Sequence, residues 1–210
     1  MSKPRGRSSI PVAWAVAGLV LLGTLSACGS QSTPFNLSNI DGLMPNLDLR
    51  MTDQDGRDVT AADYRGQVVL LYFGYTSCPD ACPTTLTTLS RAISLSGGTR
   101  MPVRVLFVTV DPKRDTAPKL KRYVSAFGPQ FTGLRGDAAE LSQLTRRYRV
   151  AYHLEPPNTD GDYSVDQSNA VFVFDAQGRA RLLAGAADTP KAIAADLIRL
   201  IPNAHSSAKR

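Results

Sequence analysis

Two thiols stand four residues apart in the stretch YFGYTSCPDACPTTL, and a proline follows each of them: Cys78-Pro79 and Cys82-Pro83. A pair at this spacing can share one soft metal ion or close into a disulfide, because residues i and i+4 of a helix lie on one face, roughly 5–6 Å apart between Cβ atoms. The thiolate is the nucleophilic and metal-binding form, and a helix N-terminus stabilises it through unpaired N–H groups and the helix dipole. Two inert buried cysteines would leave the prolines and the strand exit beside them without a reason.

The elements that must position this pair are legible around it. Residues 68–73, VVLLYF, are apolar and rich in strand formers, as a central strand covered on both faces requires. Pro79 fits the first turn of a helix, and residues 84–95 carry Leu86, Leu89, Ile93 and Leu95 at roughly helical spacing. Cys78 is therefore expected at or just before a helix N-terminus, with Cys82 one turn further on. Gly97-Gly98 stops that helix, and residues 103–110 form a second apolar strand ending at Asp111-Pro112. Asp115 is expected to cap the next helix, 116–127, with Pro118 tolerated in its first turn. Strand, crossover helix and strand make a right-handed parallel unit. Sites gather at the carboxyl ends of such strands, so Asp111 is expected near the thiols, either as a functional group or as a turn former before proline.

Elsewhere the chain reads as punctuation around further elements. Asp53-Gln54-Asp55-Gly56 marks a hairpin turn between residues 47–51 and 58–60. Residues 131–134 read as a brief extended link, and Asp137 with Glu140 forms a capping box for a helix to Tyr148. Arg146, Arg147 and Arg149 suit the solvated C-terminal end of that helix. Residues 150–154 read as a strand with His153 as a half-buried structural residue, followed by a polar loop, 155–163. A strand over 169–174, a turn at 175–178 and a returning strand over 180–184 lead to a last helix from Thr189-Pro190. Ile193, Leu197, Ile198 and Leu200 are expected on its apolar side. Met44, Met51 and Met101 are soft donors in principle but are read as packing residues.

The first 27 residues place the domain. Lys3, Arg5 and Arg7 precede an apolar run over 10–25 and the sequence Leu25-Ser26-Ala27-Cys28, the pattern of a secretory signal. Its ending resembles a bacterial lipobox, which implies cleavage before Cys28, acylation of its thiol and a tether linker over 28–36. An uncleaved anchor is the alternative, since the run approaches a span of about 18 apolar residues. Both readings put the domain outside the cytoplasm, in the cell envelope, on a membrane surface. The chain carries +6, but three of those charges lie in this leader, so the basic balance makes no case for nucleic acid. With 210 residues, 43% of them hydrophobic, it can bury one core. Once Cys28 is acylated, Cys78 and Cys82 remain, and their short loop offers little folding stability, so the pair is there for chemistry. Residues 203–210, with His205, are read as a loose tail.

YFGYTSCPDACPTTL, together with VLFVTVDPKRDTAPKLKRYVSAFG, closely resembles the Sco/SenC family, and the likeness spans roughly residues 37–201. The resemblance implies a thioredoxin-like α/β domain, with an N-terminal β-hairpin extension and an insertion before the final β-hairpin. It also implies a copper chaperone that assists assembly of the copper centre of cytochrome c oxidase, with Cys78 and Cys82 as copper ligands. The partner would be the copper-binding subunit of a respiratory oxidase or another extracytoplasmic metalloprotein. The family's third ligand is a His in a V-D-H-S segment across from the Cys pair, and here Val165-Asp166-Gln167-Ser168 carries Gln167 at that position. An amide oxygen is a far poorer copper ligand than an imidazole, so the departure argues against copper(II) and leaves copper(I), which two thiolates can hold. The alternative is thiol–disulfide exchange, with Cys78 attacking a partner disulfide and Cys82 resolving the mixed disulfide.

Overall fold

The computed structural model describes residues 33–156, 159 and 163–201, without the side chain of Gln167. The signal segment, Cys28 and the tail with His205 lie outside the described residues, as does part of the tether linker.

In chain order the elements are β1 (Ser38–Asn39), β2 (Arg50–Asp53), β3 (Asp58–Thr60), β4 (Val68–Gly74), α1 (Ala81–Ser96), β5 (Val103–Thr109), α2 (Ala117–Ser125), β6 (Phe131–Arg135), α3 (Ala138–Arg147), β7 (Tyr152–Leu154), β8 (Val165–Gln167), β9 (Val171–Phe174), β10 (Ala180–Ala184) and α4 (Pro190–Leu200). Among the described residues eight strands form one sheet, ordered β1-β10-β9-β4-β5-β6-β2-β3, and β7 and β8 form a separate ribbon.

The all-apolar β4 is the centre of this sheet. Every residue of it is buried, as expected where both faces are covered. It pairs parallel with β5, Val68 opposite Val103 and Gly74 opposite Thr109, and antiparallel with β9. The expected crossover unit is therefore present, and a second one follows, because β6 also runs parallel to β5. The β2–β3 hairpin adds to the outer side of β6, and its predicted turn is held by Asp53, whose Oδ1 accepts the backbone N–H groups of Asp55 and Arg57. The β7–β8 ribbon is the insertion, and β9–β10 is the final hairpin. Asp137 and Glu140 form the predicted capping box of α3, and at the predicted start of α4 Thr189 Oγ1 accepts the Ala192 N–H.

Several expectations are corrected. Residues 131–134 are a sheet strand and not a link. Their pattern is broken by Gly133, but that gap is needed, because a Cβ there would overlap the Leu120 side chain with which α2 packs on the sheet. Leu95 is 62% exposed, since two residues past Ile93 a helix has turned by about 200° and faces away from the core. Ile198 is 49% exposed for the related reason that it neighbours Leu197, which holds the buried stripe with Ile193 and Leu200. The strands expected over 150–154 and 169–174 begin two residues later. His153 is exposed rather than half-buried.

Candidate dithiol site

The site begins where β4 ends. Gly74 is required there, because a Cβ would overlap the Phe107 ring of β5 and lie 3.1 Å from Cys82 Sγ. The chain then turns away from the sheet, and the Cys78 N–H donates to the Tyr75 carbonyl at 3.2 Å. Pro79 lies in this turn rather than in the helix. The helix opens at Ala81 with Asp80 as the flanking residue, which places Cys82 and Pro83 in its first turn, where a missing N–H costs nothing. The Cys82 N–H, a first-turn donor with no carbonyl of the helix behind it, donates to Cys78 Sγ at 3.3 Å. Both residues stand as thiols.

Their environments differ. Cys78 is half-buried, whereas Cys82 is 0% exposed. Burial pushes the Cys82 thiol up to about 12; the Tyr72 hydroxyl, 3.5 Å from its sulfur, works against this, and the Cys78 thiol adds to it. Tyr72 is itself a buried β4 residue whose hydroxyl also lies 3.4 Å from Asn169 Oδ1. A lone tyrosine in a fully covered aliphatic strand needs a partner for its polar tip, and that requirement is the signal by which it could have been found in the sequence.

Asp115 does not cap α2; Thr116 holds that position. Its buried carboxylate instead accepts the Thr76 N–H at 2.9 Å, the Thr76 hydroxyl at 2.5 Å and the Thr109 hydroxyl at 2.6 Å. It thereby ties the loop before Cys78 to the end of β5. Lys119 lies 3.7 Å from it, and donates to Ser77 Oγ at 2.9 Å, beside Cys78. Asp111 is also buried, and it is taken up by Arg114 and by the Tyr163 hydroxyl of the insertion. Tyr75 reaches the insertion as well: its side chain contacts the Val165 backbone and the Cys78 side chain. Gln167 is two residues beyond Val165, and its backbone pairs with Tyr152.

The other candidate donors are not gathered here. His153 is opposite Asp166 in the ribbon, Met51 is in the core, and Met44 and Met101 are partly buried against it. Among the described residues no group of three or more His, Cys, Asp and Glu side chains is placed to hold a metal ion. What the geometry offers is a soft sulfur pair with one reachable and one enclosed member.

A parallel β4–β5 pair, an antiparallel β9–β10 hairpin and a dithiol at the joint between β4 and α1 define a thioredoxin-like dithiol protein. The family described as SCO1/SenC matches residues 46–202. The bovine (Bos taurus) protein SCO2 homolog, mitochondrial, is 44% identical over 133 residues, which are 62% of this chain and 50% of the bovine one. An SCO2-like protein of Rickettsia prowazekii is 33% identical over 169 residues, 77% of this chain and 82% of the other. The structure of Bradyrhizobium japonicum ScoI with copper bound superposes with a TM-score of 0.67 at 38% identity, covering 74% of this chain and 98% of that one. Yeast Sco1 with copper bound gives a TM-score of 0.67 at 30% identity, over 79% of this chain and 96% of that one. The chain thus belongs to the SCO1/SenC family. It spans about half the length of the mammalian relatives it matches.

Proposed function

We propose that this protein receives copper(I) on Cys78 and Cys82 and helps to assemble the copper centre of a respiratory oxidase or another extracytoplasmic metalloprotein. The observation that carries the reading is the asymmetric dithiol. Cys78 is accessible enough to take an ion from a donor, and the enclosed Cys82 excludes water from the second sulfur. Two thiolates suit a soft, low-coordinate ion, and relatives at 38% and 30% identity are described with copper bound. Gln167 supplies no imidazole, so the ion handled is copper(I) rather than copper(II). The lipid on Cys28 would hold the domain on the outer side of a bacterial membrane, and no helix among the described residues is long and apolar enough to cross one.

The burial of Cys82 also favours a second reading, thiol–disulfide exchange. The Cys78 thiolate attacks a partner disulfide, forming a mixed disulfide and releasing one partner thiolate. Cys82, deprotonated, then attacks the Cys78 sulfur and releases the second, so the partner is reduced as the Cys78–Cys82 pair is oxidised.

An anaerobic titration of the reduced protein with copper(I) and copper(II) separately, beside Gln167→His, decides between them. One-to-one copper(I) binding that is lost in Cys78→Ser and Cys82→Ser, with copper(II) bound only by Gln167→His, is the expected result. Absence of copper(I) binding against a competing chelator, with an exchangeable disulfide intact, would leave the second reading.

A further inference from the structure

The V-D-P-K-R-D-T segment does two separate things. Asp115 holds the dithiol loop to β5, while Asp111 and Arg114 face the other way, toward the insertion. Asp111 Oδ1 accepts the Tyr163 hydroxyl at 2.8 Å, and its other oxygen pairs with Arg114 Nε. Arg114 Nη1 in turn donates to the Tyr163 carbonyl at 2.8 Å, and the guanidinium lies 3.5 Å from the centre of the Tyr163 ring. One residue of the insertion is thus gripped by its ring, its hydroxyl and its backbone. The same guanidinium is 5.8 Å from the ring of Tyr75.

This grip sits at the mouth of the dithiol loop. A cleft of about 460 Å³ separates Ser77 and Pro79, which flank Cys78, from Pro156, Tyr163 and Ser164 of the insertion, and Arg114 lines it. Two residues after Tyr163 the chain enters β8, which carries the position where the family has its third ligand. The closed arrangement is not free of cost, since Arg114 Nη2 is buried with no hydrogen-bond partner among the described residues, a penalty that opening would remove. A contact that is well made on three sides and unsatisfied on the fourth can be released and remade.

We propose that Asp111, Arg114 and Tyr163 form a latch that holds the insertion against the dithiol loop and thereby sets how far Cys78 is open to a partner. Arg114 and Tyr163 are positioning residues: they touch neither sulfur, and act through where the insertion stands. The inference rests on the reading of Cys78 as the outer, reacting sulfur. Closed, the latch keeps the start of β8 beside Tyr75, whose side chain meets the Val165 backbone. Open, it widens the cleft for a partner's incoming sulfur.

Tyr163→Phe removes only the oxygen that reaches Asp111, and Arg114→Lys keeps the charge but loses the planar fork and its stacking on the ring. The full reduced protein is tested without metal. The expected result is Cys78 alkylation by iodoacetamide about threefold faster or more in both variants, with amide exchange accelerated in β7 and β8 and unchanged in β4 and β5. Adding Tyr163→Phe to Asp111→Ala is expected to give no further effect, because the Tyr163 hydroxyl has then already lost its acceptor. Unchanged alkylation and exchange in both variants would overturn the latch. So would faster exchange spread evenly over β4 and β5, which would mark a purely structural role. Should Arg114→Lys fail to fold, the one-oxygen change Tyr163→Phe carries the test alone. None of these readouts uses copper, so a protein that fails to bind copper(I) would sink the copper reading and leave the latch result intact.

Discussion

The Cys82 backbone N–H donates to Cys78 Sγ across 3.3 Å, so the first thiol caps the helix on which the second one rides. Asp80, in the position where a side-chain cap would be expected, makes no such bond to the backbone. The spacing of the pair therefore serves two ends. It brings the sulfurs together, and it sets the Cys78 sulfur at the start of the helix, where it accepts the Cys82 N–H.

Alkylation should report the enclosed Cys82 thiol by pH. Burial is the largest cause that raises the Cys82 thiol and it persists without Cys78, so Cys82 in a Cys78→Ser protein stays largely unlabelled by iodoacetamide through pH 9 and labels progressively above it. Stability follows the same proton. In the unfolded chain the Cys82 thiol ionises near the ordinary 9.0 and in the folded one near 12, so its contribution is whole below pH 9 and is lost as pH climbs toward 12. Denaturant titrations from pH 8 to 11 should show wild-type stability falling more steeply than that of Cys82→Ala.

Asp115 should matter more than a helix cap would. Asp115→Ala leaves the half-buried Thr76 N–H and hydroxyl and the buried Thr109 hydroxyl facing an apolar methyl, and we expect a loss of about 2–4 kcal/mol in urea unfolding. Thr116→Ala, at the α2 flank where no side-chain cap bond exists, should change stability by less than about 0.5 kcal/mol. Equal effects from the two would refute the assignment of Asp115 as the tie between β5 and the dithiol loop.

Gly74 admits no side chain. Gly74→Ala drives a methyl into the Phe107 ring and against Cys82 Sγ, and overpacking of this kind costs about 1–3 kcal/mol. The displaced sulfur should be easier to reach, so Cys82 labelling in the Cys78→Ser background should rise together with the loss in stability. A stability loss with unchanged labelling would mean that Phe107 alone absorbs the strain.

Much of this was legible along the chain, and the parts that were not share a cause. The unbroken apolar run of β4, the Asp53–Gly56 turn, the Asp137–Glu140 capping box and the Thr189-Pro190 helix start are local signals, each complete within a few residues, and each is found in the structure. The thiol pair, its prolines and its place at a strand exit belong to the same class, and with the V-D-P-K-R-D-T segment they sufficed to suggest the family. Strand β6 was missed because its glycine is explained only by Leu120, thirteen residues earlier on another element. Asp115 was assigned to the helix it precedes, since nothing nearby in sequence announces that Thr76 lies 39 residues back at its carboxylate. Spacing along the chain was enough to bring two thiols together at the start of a helix. That one of them is enclosed beneath Tyr72 while the other faces an insertion held by Asp111 and Arg114 was decided only in three dimensions, because burial and charge pairing depend on residues brought together by the sheet and not by the chain.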